Sequence, residues 1–185
     1  RTLQVLDYAI LVINGADGVQ GHTMTLWRLL TRYQIPTFLF INKMDQEGTD
    51  KEKLLAELKK RLNDNCVDFT WEKASDETLA KELHAQFMEE VSVCDEELLE
   101  KYLETEEIST EDIQKVIKDR KLFPCFFGSA LKMTGVEEFL HGLEKYCLTP
   151  EYPSEFGAKV FKIARDDQGN RLSYMKITGG TLKVK

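Results

Sequence analysis

Residues 37–45 of the chain read Thr37-Phe-Leu-Phe-Ile-Asn-Lys-Met-Asp45, an apolar run that gives way abruptly to polar residues. Consecutive β-branched, aliphatic and aromatic residues are typical of a strand that is buried on both faces of a parallel sheet. Two further runs have the same character, at Tyr8–Ile13 and Leu122–Phe127. The second of these leads directly into Gly128-Ser-Ala-Leu131. We therefore predict three buried strands, two of which end in short motifs that could meet a ligand.

Helical patterns lie between the predicted strands. Apolar residues recur at intervals of three and four from about residue 19 to 33, and again from 135 to 147. Asp50 is placed to cap another helix, which runs to about residue 62. Strands that alternate with helices indicate an α/β fold with a parallel, doubly wound sheet, where ligands bind at the carboxyl ends of the strands. The motifs at 42–45 and 128–131 both fall at such ends.

An acidic insert, residues 64–121, separates the second and third predicted strands. Residues 64–120 carry 18 acidic and 6 basic side chains, a net charge of −12; because the whole chain carries −7, the remainder carries +5. Apolar spacing predicts three helices in the insert, at Asp76–Val91, Asp95–Leu103 and Thr110–Lys121. The charge asymmetry favours a partner that is polyanionic in places.

A proline-bearing linker follows the closing helix and marks a change of domain. Beyond it, Phe156–Arg165 and Arg171–Thr178 flank a polar turn and predict a β-hairpin. We therefore predict a first domain at residues 1–150 and the start of a β-rich domain at 151–185. Because no capping residue precedes the apolar residues after Arg1, we expect the chain to be part of a longer protein.

The composition excludes several classes of protein. The chain has 185 residues, 42% hydrophobic and 31% charged, which predicts a soluble, globular protein. No apolar run approaches the roughly 18 residues that a membrane-spanning helix needs. The cysteines lie far apart without a C-x-x-C pair, which favours reduced thiols in the cytosol over disulfides or a zinc site; they are Cys66, Cys94, Cys125 and Cys147.

The motif Asn42-Lys-Met-Asp45 suits a guanine base. Guanine presents the acceptor O6 beside two donors, N1–H and the 2-amino group, and a carboxylate such as that of Asp45 can accept from both donors. Adenine has no 2-amino group and offers an acceptor at N1, so it would leave this carboxylate unsatisfied. Asn42 suits guanine N7 and can also join neighbouring loops, and the methylene stem of Lys43 can lie on the base plane.

The motif at 128–131 can supply the remaining contact. The backbone N–H of Ala130 or Leu131 can meet O6, Ser129 would brace the turn, and the small Ala130 lets the backbone approach the base. We predict six guanine-nucleotide-binding residues, namely Asn42, Lys43, Asp45, Ser129, Ala130 and Leu131. We predict no catalytic residue and no metal ligand in this chain. Its three histidines are interpreted as solvated or packing residues, and its carboxylate runs as solvated helix faces.

The two motifs, in this order, resemble the fourth and fifth motifs of translational GTPases. The stretches Asp95–Leu103, Ser129–Val136 and Arg1–Asp7 resemble elongation factor G closely, and the likeness covers essentially the whole chain. The resemblance implies the carboxyl-terminal half of a P-loop-type GTPase domain, with a helical acidic insert, followed by the first strands of a β-barrel domain.

Some features are similar to one branch of this family, the tetracycline-resistance ribosomal-protection proteins. Gln46 stands where elongation factor G usually has arginine, Asp50 completes a D-Q-x-G-x-D run, and the insert has no room for an extra α/β subdomain. Gly157–Ile163 and Arg171–Tyr174 are also similar to that branch. The alternatives are an ordinary elongation factor G paralogue and a guanine-nucleotide-binding module without hydrolysis.

The resemblance also implies what lies outside this chain. Its family binds GTP or GDP with Mg²⁺, yet no G-x-x-x-x-G-K-[ST] phosphate loop and no D-x-P-G-H switch occurs in these 185 residues. We therefore expect the Mg²⁺ ligands to lie outside the chain, and the isolated chain to be inactive. The implied partner is the ribosome, through its rRNA and proteins, in the cytoplasm and without a membrane. An incomplete sheet further predicts self-association.

Overall fold

The computed structural model describes residues 2–70 and 77–183, and the chain divides into two compact units. The larger unit is Tyr8–Leu148. The smaller unit joins the segment that ends at Asp7 to the segment that begins at Thr149. The residues before Tyr8 thus belong with the carboxyl-terminal hairpin, whereas the sequence grouped them with the first 150 residues.

Four parallel strands form the sheet of the larger unit, in the order β1-β2-β4-β3. Their bounds are Ala9–Asn14 (β1), Thr37–Asn42 (β2), Cys66–Asp68 (β3) and Phe123–Phe127 (β4). The central strands β2 and β4 are buried almost throughout, as their unbroken apolar runs predicted. The predicted α/β fold, a parallel sheet flanked by helices, is confirmed.

The two edge strands depart from the sequence-based expectation. β1 was expected to be buried on both faces, but Ile10 is 47% exposed and Val12 is 58% exposed, while Leu11 and Ile13 are buried. This prediction was wrong because no helix in the described residues covers the face that Ile10 and Val12 occupy. β3 was not predicted at all, since three residues are too few to show a strand pattern.

Six helices accompany the sheet within the described residues. Their bounds are Gly21–Arg32 (α1), Lys51–Arg61 (α2), Glu77–Ser92 (α3), Glu96–Thr105 (α4), Thr110–Lys118 (α5) and Val136–Tyr146 (α6). Asp50 caps α2 by accepting from the Lys53 N–H, as predicted. The predicted start of α3 at Asp76 lies outside the described residues. α5 ends three residues before the predicted Lys121, because Arg120 takes a left-handed φ of 59° and turns the chain towards β4.

Aromatic rings fill the core on one face of the sheet. Phe139 of α6 packs on Phe40 and Phe126, with ring centroids 5.0 and 5.2 Å away. Gly142, one turn further along α6, lies against the Phe126 ring so closely that a Cβ there would overlap it. This glycine therefore sets how near the helix approaches the sheet.

An arginine closes the core at the amino-terminal end of β2. The Arg120 guanidinium lies 5.2 Å from the Trp27 ring and 5.0 Å from the Phe123 ring. It also donates to Thr31 Oγ1 at 3.0 Å and to Thr37 Oγ1 at 3.2 Å. Burial lowers the pKa of this guanidinium from its ordinary value, although such a group stays charged. The arginine therefore ties α1, β2 and β4 together.

The smaller unit contains an antiparallel hairpin, with strands Gly157–Arg165 (β5) and Arg171–Gly179 (β6), as the sequence predicted. A short 3₁₀ helix, Thr2–Val5, packs on it. Lys159 donates to the Gln4 carbonyl at 3.0 Å. Lys176 donates to the Val5 carbonyl at 3.0 Å and forms an ion pair with Asp7 at 2.5 Å. Lysines from the hairpin thus hold the carboxyl end of this helix, where cations are stabilised.

None of the helices in the described part of the chain combines the length and the apolar character that a membrane crossing requires.

Candidate guanine-binding site

The two sequence motifs leave the same edge of the sheet from neighbouring strands. β2 pairs with β4 in parallel, with Ile41 opposite Phe127, so the residues that follow each strand emerge side by side. Backbone hydrogen bonds continue past the strands, from Gly128 N to the Ile41 carbonyl at 2.9 Å and from Met44 N to the Gly128 carbonyl at 3.0 Å. The structure therefore brings the two motifs together.

Asn42 joins the two loops through its side chain. Its Oδ1 accepts from the Lys43 N–H at 2.8 Å and from the Ala130 N–H at 2.9 Å. The side-chain nitrogen Nδ2 makes no hydrogen bond with any described residue, which leaves it able to donate to guanine N7. The amide thus fixes the loops with one end and presents a donor with the other.

Lys43 has a backbone conformation that side chains rarely adopt. Its φ is +66°, in the left-handed region, which costs a non-glycine residue about 1–2 kcal/mol. The hydrogen bond from its N–H to Asn42, and one from Gln46 N to the Lys43 carbonyl at 3.1 Å, hold the turn in this form. Strain of this kind concentrates at ligand sites, and the Lys43 side chain is exposed here.

Asp45 is exposed and held as a carboxylate. A hydrogen bond from the Ser129 hydroxyl is the main cause that lowers its pKa, and the charges of Lys132 and Lys43 add to the effect. Ser129 is only 3% exposed, and its Oγ also accepts from the Lys132 N–H at 3.3 Å. The serine therefore braces its own turn and favours the ionised form of the Asp45 carboxyl group.

Of the two predicted backbone donors to O6, one is already engaged. The Ala130 N–H donates to Asn42, whereas the Leu131 N–H makes no hydrogen bond with any described residue. The Leu131 side chain is 86% exposed. The geometry therefore favours Leu131 as the donor that is open to a base.

Two glycines that the sequence patterns did not single out support these loops. Gly15 donates from its N–H to the Asn42 carbonyl at 2.7 Å, and a Cβ there would lie 2.9 Å from Met44 Sδ. Gly135, at φ +75°, packs against the Phe127 carbonyl with no room for a Cβ. The signals were present, since Gly15 stands in the turn after β1 and Gly135 follows the second motif, but a glycine's neighbours cannot be read from sequence.

The described residues do not fit a magnesium site. No group of three or more His, Cys, Asp or Glu side chains in that part of the chain is arranged to hold a metal ion. The sequence also has no phosphate loop that could present a triphosphate to one.

Comparison with known families agrees with this geometry. The profile of the elongation factor Tu GTP binding domain matches residues 1–149. The chain belongs to the elongation factor Tu GTP-binding domain family. The prediction that the chain belongs to a translational GTPase is thereby confirmed, while closeness to the ribosomal-protection proteins stays a prediction.

Relatives within the elongation factor Tu GTP-binding domain family include elongation factor G. Those of Ureaplasma urealyticum serovar 10 and Ureaplasma parvum serovar 3 are each 31% identical over 240 residues. Each match covers 98% of this chain but only 35% of the relative, so the chain spans about a third of the length of these relatives. Because this chain has only 185 residues, at least 55 of the 240 aligned positions have no counterpart in it.

A solved structure supports the fold of this family member. A crystal structure of a protein from Thermus thermophilus superposes with a TM-score of 0.78 at 22% sequence identity. The match covers 98% of this chain and 33% of the other. At that identity the likeness concerns the fold alone.

Proposed function

We propose that this chain supplies the guanine-recognition part of a ribosome-associated translational GTPase that binds and hydrolyses GTP. The observation that carries the proposal is the link between the two loops: Asn42 Oδ1 accepts from the Ala130 N–H at 2.9 Å, which places the exposed Asp45 carboxylate of one loop beside the other loop. Family membership over residues 1–149 supports the same conclusion. The phosphate contacts and Mg²⁺ ligands of the whole protein lie outside these 185 residues.

Recognition of guanine follows from the charges and donors of this site. Asp45 accepts from N1–H and the 2-amino group, the Leu131 N–H donates to O6, and Asn42 Nδ2 donates to N7. A site that would leave a carboxylate unsatisfied can reject the wrong substrate by roughly 10⁴-fold or more. Adenine nucleotides are therefore poor ligands.

The finer proposal is a ribosomal-protection protein that displaces tetracycline from the ribosome. It rests on the sequence Asp45-Gln-Glu-Gly-Thr-Asp50 and on an insert at residues 64–121 that has no room for an extra α/β subdomain. The alternatives are an elongation factor G paralogue that acts in translocation and a guanine-binding module without hydrolysis. In the first two cases the partners are rRNA and ribosomal proteins in the cytoplasm.

Base recognition can be tested on the 185-residue chain itself. We expect GMP at millimolar concentration to shift the amide resonances of Lys43, Asp45 and Leu131, and AMP to leave them unchanged. We expect no GTP hydrolysis, and affinity no tighter than millimolar, because phosphate contacts dominate nucleotide binding. Micromolar GTP binding by calorimetry, or equal shifts with AMP, would contradict the proposed site.

The finer assignment requires the whole protein with ribosomes. Ribosome-stimulated GTP hydrolysis together with recovery of tetracycline-inhibited translation would support the ribosomal-protection proposal. Hydrolysis coupled to translocation without such recovery would instead support the elongation factor G paralogue. Guanine binding without hydrolysis would support the binding module.

A further inference from the structure

A groove of about 390 Å³ lies between α3, the end of α4 and the loop that follows α4. We name it the α3–α4 groove. Its lining includes Met88, Lys101, Thr105, Glu106, Glu107 and Ile108. The guanine-binding loops contribute nothing to it, so it lies outside the site described above. Its volume falls near the lower end of the range of ligand pockets.

The floor of the groove is apolar and adaptable. Ile108 is 8% exposed and belongs to the main core cluster, against which Met88 packs. Methionine is flexible and polarizable, so its side chain can adjust to the shape of an incoming apolar group. The groove can therefore accept an aliphatic side chain at little cost in core packing.

The walls are fixed by local hydrogen bonds. Glu106 ends α4 with a left-handed φ of 56°, and its N–H donates to the Tyr102 carbonyl at 2.8 Å. The Thr105 hydroxyl donates to the Lys101 carbonyl at 2.8 Å. Ser109 and Asp112 form a capping box that anchors the other end of the loop. The groove is thus preorganised and does not need to be ordered by a ligand.

The rim carries uncompensated negative charge. Residues 95–112 contain nine carboxylates, of which Asp95, Glu97 and Asp112 are paired with Lys121, Lys115 and Lys101. Glu104, Glu106 and Glu107 are exposed, and none forms an ion pair with another described residue. Such a rim attracts cations and repels the phosphates of nucleic acid.

We propose that the α3–α4 groove docks a basic segment of a protein partner. One apolar side chain of that segment would lie over Met88 and Ile108, and flanking Lys or Arg side chains would pair with Glu106 and Glu107. Charge complementarity selects a polypeptide over RNA. The proposal is independent of the guanine site, because it concerns a different surface and a different ligand.

A short peptide tests the proposal. The probe is N-acetylated Lys-Leu-Lys-Lys-amide, titrated into the ¹⁵N-labelled 185-residue chain at low salt, beside a second peptide in which serine replaces leucine. We expect the leucine peptide to shift the resonances of Met88 and of residues 105–108, and the serine peptide to bind more weakly. Equal binding of both peptides would show that the floor plays no part, and would overturn the proposal.

Charge reversal gives the matched comparison. The variant Glu106→Lys/Glu107→Lys should weaken binding of the leucine peptide by about tenfold or more, whereas Glu151→Lys/Glu155→Lys, with the same change of net charge in the smaller unit, should leave it within about twofold. Glu106→Gln/Glu107→Gln should give an intermediate loss and guards against misfolding of the reversed pair. Equal losses in the groove and control variants, or binding of a single-stranded RNA oligonucleotide at 105–108, would contradict the proposal.

Discussion

We propose that base selectivity depends on the carboxylate of Asp45. It is exposed, and the neighbouring Ser129 hydroxyl lowers its pKa, so the carboxylate can accept hydrogen bonds from a ligand. The two guanine groups that would face this carboxylate, N1–H and the 2-amino group, are both hydrogen-bond donors. A change of this one side chain should therefore alter which purine is preferred, and leave the fold intact because the residue lies at the surface.

Asp45→Asn in the whole protein should shift preference from guanine towards xanthine nucleotides. The amide carries one acceptor and one donor, which match the carbonyl that xanthine has in place of the 2-amino group. Competition between GDP and XDP measures the ratio, for which a change of about 100-fold corresponds to roughly 2.7 kcal/mol. Asp17→Asn, another exposed aspartate after a strand, is the control; an unchanged ratio in Asp45→Asn would remove Asp45 from the site.

Arg120 is the residue whose loss should destabilise the larger unit most directly. Arg120→Lys keeps the charge but removes the planar group that lies against Trp27 and Phe123 and the fork that reaches both threonines. We expect the free energy of unfolding to fall by about 1–3 kcal/mol. Urea denaturation measures this loss, and Arg28→Lys on the exposed side of α1 should stay within about 0.5 kcal/mol.

At the scale of elements, the sequence was informative where burial is complete. Apart from the buried Thr37, β2 and β4 are apolar at every covered position, so their extent and parallel pairing followed from composition, and with them the meeting of the two motifs. The hydrogen bonds that the Asn42 side chain makes within and across the two loops could be anticipated only in part. They depend on a left-handed turn at Lys43, for which no local residue preference gives a signal.

The edges of the sheet were harder to predict for a physical reason. An apolar run shows that a strand can be buried, but it does not show that another element covers the strand. β1 has the apolar composition of a central strand, although it lies at the edge of the sheet. β3 forms at only three residues because β4 already offers it a partner. Such induced pairing depends on distant residues and leaves no periodic pattern.

The start of α5 should respond to acid. Partial burial acts to raise the pKa of Asp112, but hydrogen bonds from Lys101 and Ser109 outweigh it and lower that pKa to about 2. A lowered folded-state pKa stabilises the chain above the unfolded value near 3.8, and this contribution is lost as the pH falls from about 4 to 2. The hydrogen-exchange protection factors of the α5 amides, which correct for the pH dependence of the intrinsic exchange rate, should therefore fall over that interval.

Asp112→Asn supplies the comparison for this acid response. The amide of Asn at position 112 cannot titrate. The α5 amides of this variant should therefore have lower hydrogen-exchange protection factors at neutral pH than those of the unaltered chain, and the protection factors should change less between pH 4 and 2. Asp119→Asn, at the opposite end of α5 and outside the capping box, should behave as the unaltered chain does. A variant that kept the full acid response would assign it to other carboxylates.

At the scale of the whole molecule, exposed apolar strands predict that the 185-residue chain self-associates. Ile10 and Val12 lie on the uncovered face of edge strand β1, and the hairpin exposes Val160 and Ile163. Burying such surface gains about 25 cal/mol per Å², and an unpaired strand edge invites a second chain. Sedimentation at tens of micromolar should show dimers or larger species.

Val12→Lys should reduce this association, because a charge on an edge strand opposes pairing. Leu103→Lys, at an exposed apolar residue of α4 away from the sheet, is the matched control and should leave association unchanged. A monodisperse monomer for the unaltered chain across the concentration series would contradict the prediction.

The close approach of Gly142 to the Phe126 ring has a consequence for natural variation. The residues at positions 142 and 126 share one space, so neither can become larger unless the other becomes smaller. A closely packed interior does not accept an extra methyl group without displacing a neighbour. Homologues with alanine at the position of Gly142 should therefore carry a smaller side chain, such as leucine or valine, at that of Phe126. The residues at positions 142 and 126 would then change together among homologues and keep the spacing between α6 and the sheet. A chimera that exchanged only one of the two residues would lose stability.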